Sequence, residues 1–137
     1  MAGSIFQGRD NMKGFRPLYG KRTEPTASLQ TENMEISLEK IEIIRSILEL
    51  ATHSNIDVVL VVSPYCKYVP ADFMEPLENL AKEYKLPFLN YINDTTFPNS
   101  PNLFFNDELH LNETGGLRFS GKVAHEIRRI DQDTQVK

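Results

Sequence analysis

Asp57-Val58-Val59-Leu60-Val61-Val62-Ser63-Pro64 is the stretch that decides the fold class. Its unbroken β-branched run reads as a strand covered on both faces, which is the mark of a parallel sheet. Pro64 ends it, because proline brings no N–H to a ladder. Downstream, Asp72–Lys85 places Phe73, Leu77, Leu80, Ala81 and Tyr84 on one helical face, with Asp72 as the expected N-cap. Pro87-Phe88-Leu89-Asn90-Tyr91-Ile92 reads as a second short strand. Residues 57–92 therefore form one β-α-β unit, right-handed by rule.

The flanks extend this unit. Upstream, Met34, Leu38, Ile41, Arg45 and Leu48, with Ile36, Ile43, Ile47 and Leu50, follow helical spacing through about His53 and give a wide apolar stripe. Glu35, Glu39, Lys40, Glu42 and Glu49 fill the wet face, and Asn55 breaks the helix. Residues 93–111 read as a long loop. A last helix is expected from about Glu113 to Ile130, capped by Asn112, with Arg128 and Arg129 in its final turn where they favour the dipole. The expected divisions are an irregular, turn-rich lead-in over 1–33, an α/β domain over 34–131, and a fraying tail over 132–137.

This order of elements is half of a doubly wound α/β sheet. Two strands cannot bury three helices as an open sheet should. The expectation is a partial α/β fold whose N-terminal part of the sheet is missing, or whose open edge pairs with another copy as a homo-oligomer.

Composition narrows the function classes. The chain has 137 residues, 40% hydrophobic and 25% charged, which is globular rather than disordered. Fifteen basic against nineteen acidic residues give a net charge of -4, and no basic face is visible, so nucleic acid is not an expected partner. The apolar run Val58–Val62 is too short for a membrane span, and Met1–Ser4 lacks the basic and apolar regions of a signal peptide. A single cysteine, Cys66, excludes an internal disulfide. Three scattered histidines and one cysteine show no metal-ligand spacing, so neither metal nor cofactor is expected.

Reactive groups of α/β sheets collect in loops beyond the carboxyl ends of the strands. The loop after the second strand contains Phe105-Asn106-Asp107-Glu108-Leu109-His110-Leu111-Asn112. A carboxylate three residues before a histidine, on a turn entering a helix, can hold one imidazole nitrogen and fix the tautomer. The other nitrogen is then available to take a proton from a hydroxyl. The spacing alone arises often by chance, and a histidine there can also simply cap or pack.

Asp107-x-x-His110-Leu111-Asn112-x-x-Gly115-Gly116-x-x-Phe119-Ser120 resembles the closing block of the SGNH (GDSL-type) hydrolases, and Val58–Pro64 resembles that family's strand ending in proline. In layout the resemblance covers roughly residues 34–130; its specific motif spans 107–120. It implies a flavodoxin-like three-layer α/β/α fold and metal-free hydrolysis of a small-molecule, carbohydrate or lipid ester. Asp107 would orient the imidazole, and His110 would be the general base. No Gly-Asp-Ser nucleophile turn occurs in the chain, nor an obvious Gly and Asn block for an oxyanion hole. The implied role is that of a C-terminal portion, inactive alone.

Ser63 lies at a strand end where a nucleophile belongs, but Pro64 has no N–H for an oxyanion and disrupts an elbow, so it reads as a strand-ending polar residue. Cys66 reads as packing, Tyr65 and Tyr68 as loop lining, His53 as a helix-end cation and His125 as a surface group. Two other classes remain open: a non-catalytic α/β binding or assembly module, and a flavodoxin-like small-ligand binder. For the latter Ser63-Pro-Tyr-Cys-Lys-Tyr68 makes a poor phosphate loop.

Overall fold

A computed structural model describes residues 35–97, 101–107 and 110–135. The expected lead-in over 1–33 and the expected helix start at Met34 lie outside the described residues. Helix α1 spans Leu38–His53, and the Ser37 hydroxyl at its N-cap accepts the Lys40 N–H. It ends in a left-handed residue, Asn55 (φ 52°), with the Ile56 N–H donating back to the Ala51 carbonyl at 2.9 Å. This is the Schellman closure, and asparagine tolerates it better than most residues do.

Strands β1, Leu60–Val62, and β2, Phe88–Asn90, pair in parallel with Leu60 opposite Phe88 and Val62 opposite Asn90. The β-α-β reading holds, but both strands are shorter than the sequence suggests. The expectation of cover on both faces is corrected: Val61 stays 38% exposed and its neighbours are only half-buried. The α1 stripe is corrected likewise. Ile41, Leu48 and Ala51 are buried, whereas Ile43, Ile47 and Leu50 point to solvent. Among the described residues α1 packs chiefly on one neighbouring helix, and one such neighbour buries only a narrow face of a helix.

That neighbour is α2, Glu75–Glu83. A 3₁₀ turn, Ala71–Met74, precedes it, and Pro70, not Asp72, occupies the flanking cap position of that turn without a side-chain bond. Pro76 explains the late start, since proline fits the first helical turn where its absent N–H costs nothing. Arg45 pairs with Glu83, which joins α1 to α2. Helix α2 closes as α1 does, with Lys85 left-handed (φ 55°) and the Leu86 N–H on the Ala81 carbonyl at 2.8 Å.

Among its described residues the long loop contains a short helix, α3, Pro101–Phe104. Helix α4 runs Glu113–Gln135, five residues beyond the expected end. No glycine or proline follows Ile130 to stop it, so the expected tail from 132 is helical through Gln135, and Arg128 and Arg129 lie inside the helix; 136–137 lie outside the described residues. Arg129 pairs there with Glu126 at 2.8 Å.

Two apolar clusters hold the elements together. Val69, Met74 and Ile92 form one, with Ile36, Val62, Tyr65, Phe73 and Leu77 against it. Cys66, Phe97, Phe104 and Phe105 form the other, joined by Leu111 and Phe119. Among the described residues no helix is long and apolar enough to cross a membrane.

Candidate functional site

The second cluster fixes where the candidate loop lies. Cys66 follows β1, Phe97 follows β2, and both pack against Phe104, Phe105 and Leu111. The loop carrying Asp107 and His110 is therefore seated at the carboxyl ends of the strands. Asn93 clamps the two post-strand loops together: its Oδ1 accepts the Val69 N–H at 3.1 Å and its Nδ2 donates to the Val69 carbonyl at 2.7 Å. This clamp was not foreseen; an asparagine in a long loop carries no distinctive signal.

The candidate loop is a closed excursion. Phe105 and Leu111 form an antiparallel bridge, and the Asn106 N–H donates to the His110 carbonyl at 2.8 Å. At its base the Asn112 N–H donates to the Phe104 carbonyl at 2.9 Å. Phe105, wholly buried, anchors one limb, and α4 continues from the other.

At the tip Asp107 does two things at once. Its Oδ1 accepts the His110 backbone N–H at 2.8 Å, and both carboxylate oxygens lie 2.9 Å from His110 Nδ1. A carboxylate at this distance accepts, so Nδ1 carries the proton and donates. In the neutral ring Nε2, on the far side of the imidazole, is then the basic nitrogen. The side chains are 60% and 49% exposed for His110 and Asp107, so a reactant can reach the pair. The structure thus brings the two predicted residues together.

The other candidates have different surroundings. Cys66 is only 4% exposed, enclosed by phenylalanines, which suits packing. Ser63 is exposed but followed by fully buried Pro64. His53 Nδ1 sits 2.7 Å from the Glu49 carbonyl in the last turn of α1. His125 lies on α4, where with Tyr91, Gly121, Lys122 and Glu126 it borders a concavity of about 420 Å³. A second concavity, about 550 Å³, opens beside Pro70, Met74 and residues 90–94. Neither is lined by Asp107 or His110.

Between these concavities lies an ion pair, Lys122 with Asp94, which the Thr96 N–H also reaches at 2.9 Å. Burial pushes the Asp94 carboxyl up, yet Lys122 and Thr96 together outweigh it and hold the group below the usual carboxylate range. Lys122 also lies over the rings of Phe97 (5.6 Å) and Tyr91 (5.9 Å), so this pair ties α4 to the loop after β2. Among the described residues, no group of three or more His, Cys, Asp or Glu is placed to hold a metal ion.

Fold and site together define an α/β unit with a carboxylate–imidazole pair on an exposed, clasped loop at the carboxyl ends of its strands. No protein-family model, curated protein or solved structure matches the chain.

Proposed function

We propose that the chain supplies the acid–histidine part of a serine ester or acyl hydrolase of the SGNH (GDSL) type, within a flavodoxin-like three-layer architecture. The observation that carries the proposal is the Asp107 carboxylate held 2.9 Å from Nδ1 of an exposed His110. In this reading His110 Nε2 takes the proton of an attacking hydroxyl and later returns it to the departing alcohol. Asp107 keeps the tautomer and stabilises the imidazolium between the two steps.

The chain contains no Gly-Asp-Ser, so the hydroxyl comes from another segment, as does the oxyanion hole. The substrate is a small-molecule, carbohydrate or lipid ester. The test joins the chain to whatever sequence its reading frame places before it and measures hydrolysis of short p-nitrophenyl esters and labelling by a fluorophosphonate. Hydrolysis and labelling are expected, with hydrolysis abolished by His110→Ala. An unchanged rate in that variant would overturn the mechanism.

A second reading, a non-catalytic module that associates with another copy, is favoured by one observation. Ile43, Ile47 and Leu50 on α1 and Val61 on β1 are exposed, beside a sheet of two strands among the described residues. Absence of fluorophosphonate labelling together with a dimer in sedimentation would favour it; a monomer would remove it.

A further inference from the structure

Asn112 is the one buried polar side chain among the described residues, 4% exposed at the junction between the candidate loop and α4. Its amide is used at both ends. The Oδ1 accepts the Gly115 N–H at 2.9 Å, which is an ordinary helix N-cap, but Nδ2 donates backwards to the Leu103 carbonyl at 2.9 Å. A cap needs only the first bond. The second reaches across the base of the loop to α3, nine residues earlier, beside the backbone bond from Asn112 N–H to Phe104.

We propose that Asn112 is a positioning residue for His110, its Nδ2 bond to Leu103 holding the loop closed so that Asp107 keeps the imidazole in the Nδ1–H tautomer. The two limbs that bear Asp107 and His110 leave the body of the protein at Phe105 and Leu111. Asn112 fastens their base by two bonds, one from its backbone and one from its side chain. Buried amide bonds of this kind are costly to leave unmade, so the base is held shut. Close approach reinforces it. A β-carbon on Gly115 would overlap the Phe104 carbonyl oxygen, so the first turn of α4 lies directly on α3. Asp107 and His110 contribute little rigidity themselves, since both are about half exposed or more and such pairs are weak alone. Their alignment comes from below.

As a statement about catalysis this rests on His110 being the general base, but the experiment reads the imidazole rather than any activity. The full chain is labelled with nitrogen-15, and ring nitrogens are observed by long-range proton correlation at mildly alkaline pH, where imidazoles are neutral. His110 is assigned by its loss in His110→Ala. The wild type is expected to show His110 mainly as the Nδ1–H tautomer. Asn112→Ser keeps a cap oxygen for Gly115 but is too short to reach Leu103. It is expected to retain the Gly115 amide signal while His110 shifts to mainly the Nε2–H form that an isolated imidazole favours. Asn112→Asp, which caps α4 but presents an acceptor to the Leu103 carbonyl, is expected to do the same.

Retention of the Nδ1–H tautomer in both folded variants would overturn the proposal and leave Asn112 a cap alone. Collapse of amide dispersion in both would also overturn it, because the Leu103 bond would then hold the fold rather than the loop. A tautomer that responds as expected, with no ester hydrolysis once the chain is joined to the sequence its reading frame places before it, would sink the hydrolase reading and leave the positioning role intact.

Discussion

Replacing Gly115 by alanine tests the packing on which the loop is built. The added β-carbon would overlap the Phe104 carbonyl oxygen and stand 3.0 Å from both the Phe104 carbonyl carbon and Leu111 Cδ2. Comfortable carbon–carbon separations are about 3.5–4.0 Å, so the helix start must move by roughly half an ångström or more. The obstacle is backbone rather than a flexible side-chain end, and overpacking of that kind costs about 1–3 kcal/mol. The displaced Phe104 carbonyl is also the acceptor for the Asn112 N–H, a bond worth about 1 kcal/mol net. Against these stands the gain in helix propensity, at most about 1 kcal/mol. A net loss of about 1–3 kcal/mol is expected. Gly116 and Gly121 lie on the same helix with nothing within 4 Å of a built β-carbon, so Gly116→Ala and Gly121→Ala should each gain about 0.5–1 kcal/mol. Urea denaturation of the three variants, followed by circular dichroism, reads the difference. If Gly115→Ala stabilises as the other two do, the close contact between α3 and α4 is wrong, and with it the account of how the loop is held.

Acid should loosen the attachment of α4. Asp94 titrates below an unfolded aspartate, whose value is about 3.9, so as pH falls the unfolded chain binds this proton first. The contribution of Asp94 is fully present above about pH 4 and is lost as pH falls towards the depressed folded value. Asp94→Asn should therefore show a flatter decline of urea midpoint below about pH 4 than the wild type, and an identical decline would refute the assignment. At the end of α2, Lys85 holds a left-handed conformation (φ 55°) that costs a side-chain-bearing residue about 1–2 kcal/mol. Lys85→Gly removes that strain at the expense of about 0.5–1 kcal/mol of unfolded-chain entropy, so a gain of about 0.5 kcal/mol in thermal unfolding is expected. Lys85→Ala, which keeps the strain, should show no such gain.

The α/β class and the parallel pairing were legible because a valine-rich run followed by an amphipathic helix and a second short run has few other solutions. The pair Asp107 and His110 stood out in the sequence through the resemblance carried by residues 107–120 rather than through its spacing, which arises often by chance, although three residues within one turn do let the side chains meet. What the sequence concealed depends on neighbours distant in the chain. The α1 stripe looks wide in one dimension, yet Ile43, Ile47 and Leu50 remain exposed because burial depends on what packs alongside, not on spacing. Asp72 has the chemistry of a cap but lies inside a 3₁₀ turn, since Pro76, the second residue of α2, sets where the α-helix begins. Asn112 was legible as a cap, whereas its bond to Leu103 required knowing that residues 101–104 turn back as a helix.

The locality of the candidate site has a consequence for how it would operate. The bonds that order the loop, from Leu103 to Asn112, from Asn106 to His110 and from Asp107 to His110, span at most nine residues. Only the seat beneath it, through Phe97, Cys66 and Phe119, draws on the rest of the fold. A half-site built this way is set before any nucleophile arrives, since none of its ordering contacts needs one. Orientation of the base is among the larger entropic terms a hydrolase must satisfy, and under the proposed reading the contacts among residues 103–115 would meet it. The remaining requirement on a partner segment is narrow: to bring a hydroxyl within hydrogen-bond reach of His110 Nε2, together with its own oxyanion donors. Under the proposed reading, that division would let the chain lack Gly-Asp-Ser and still present an oriented imidazole.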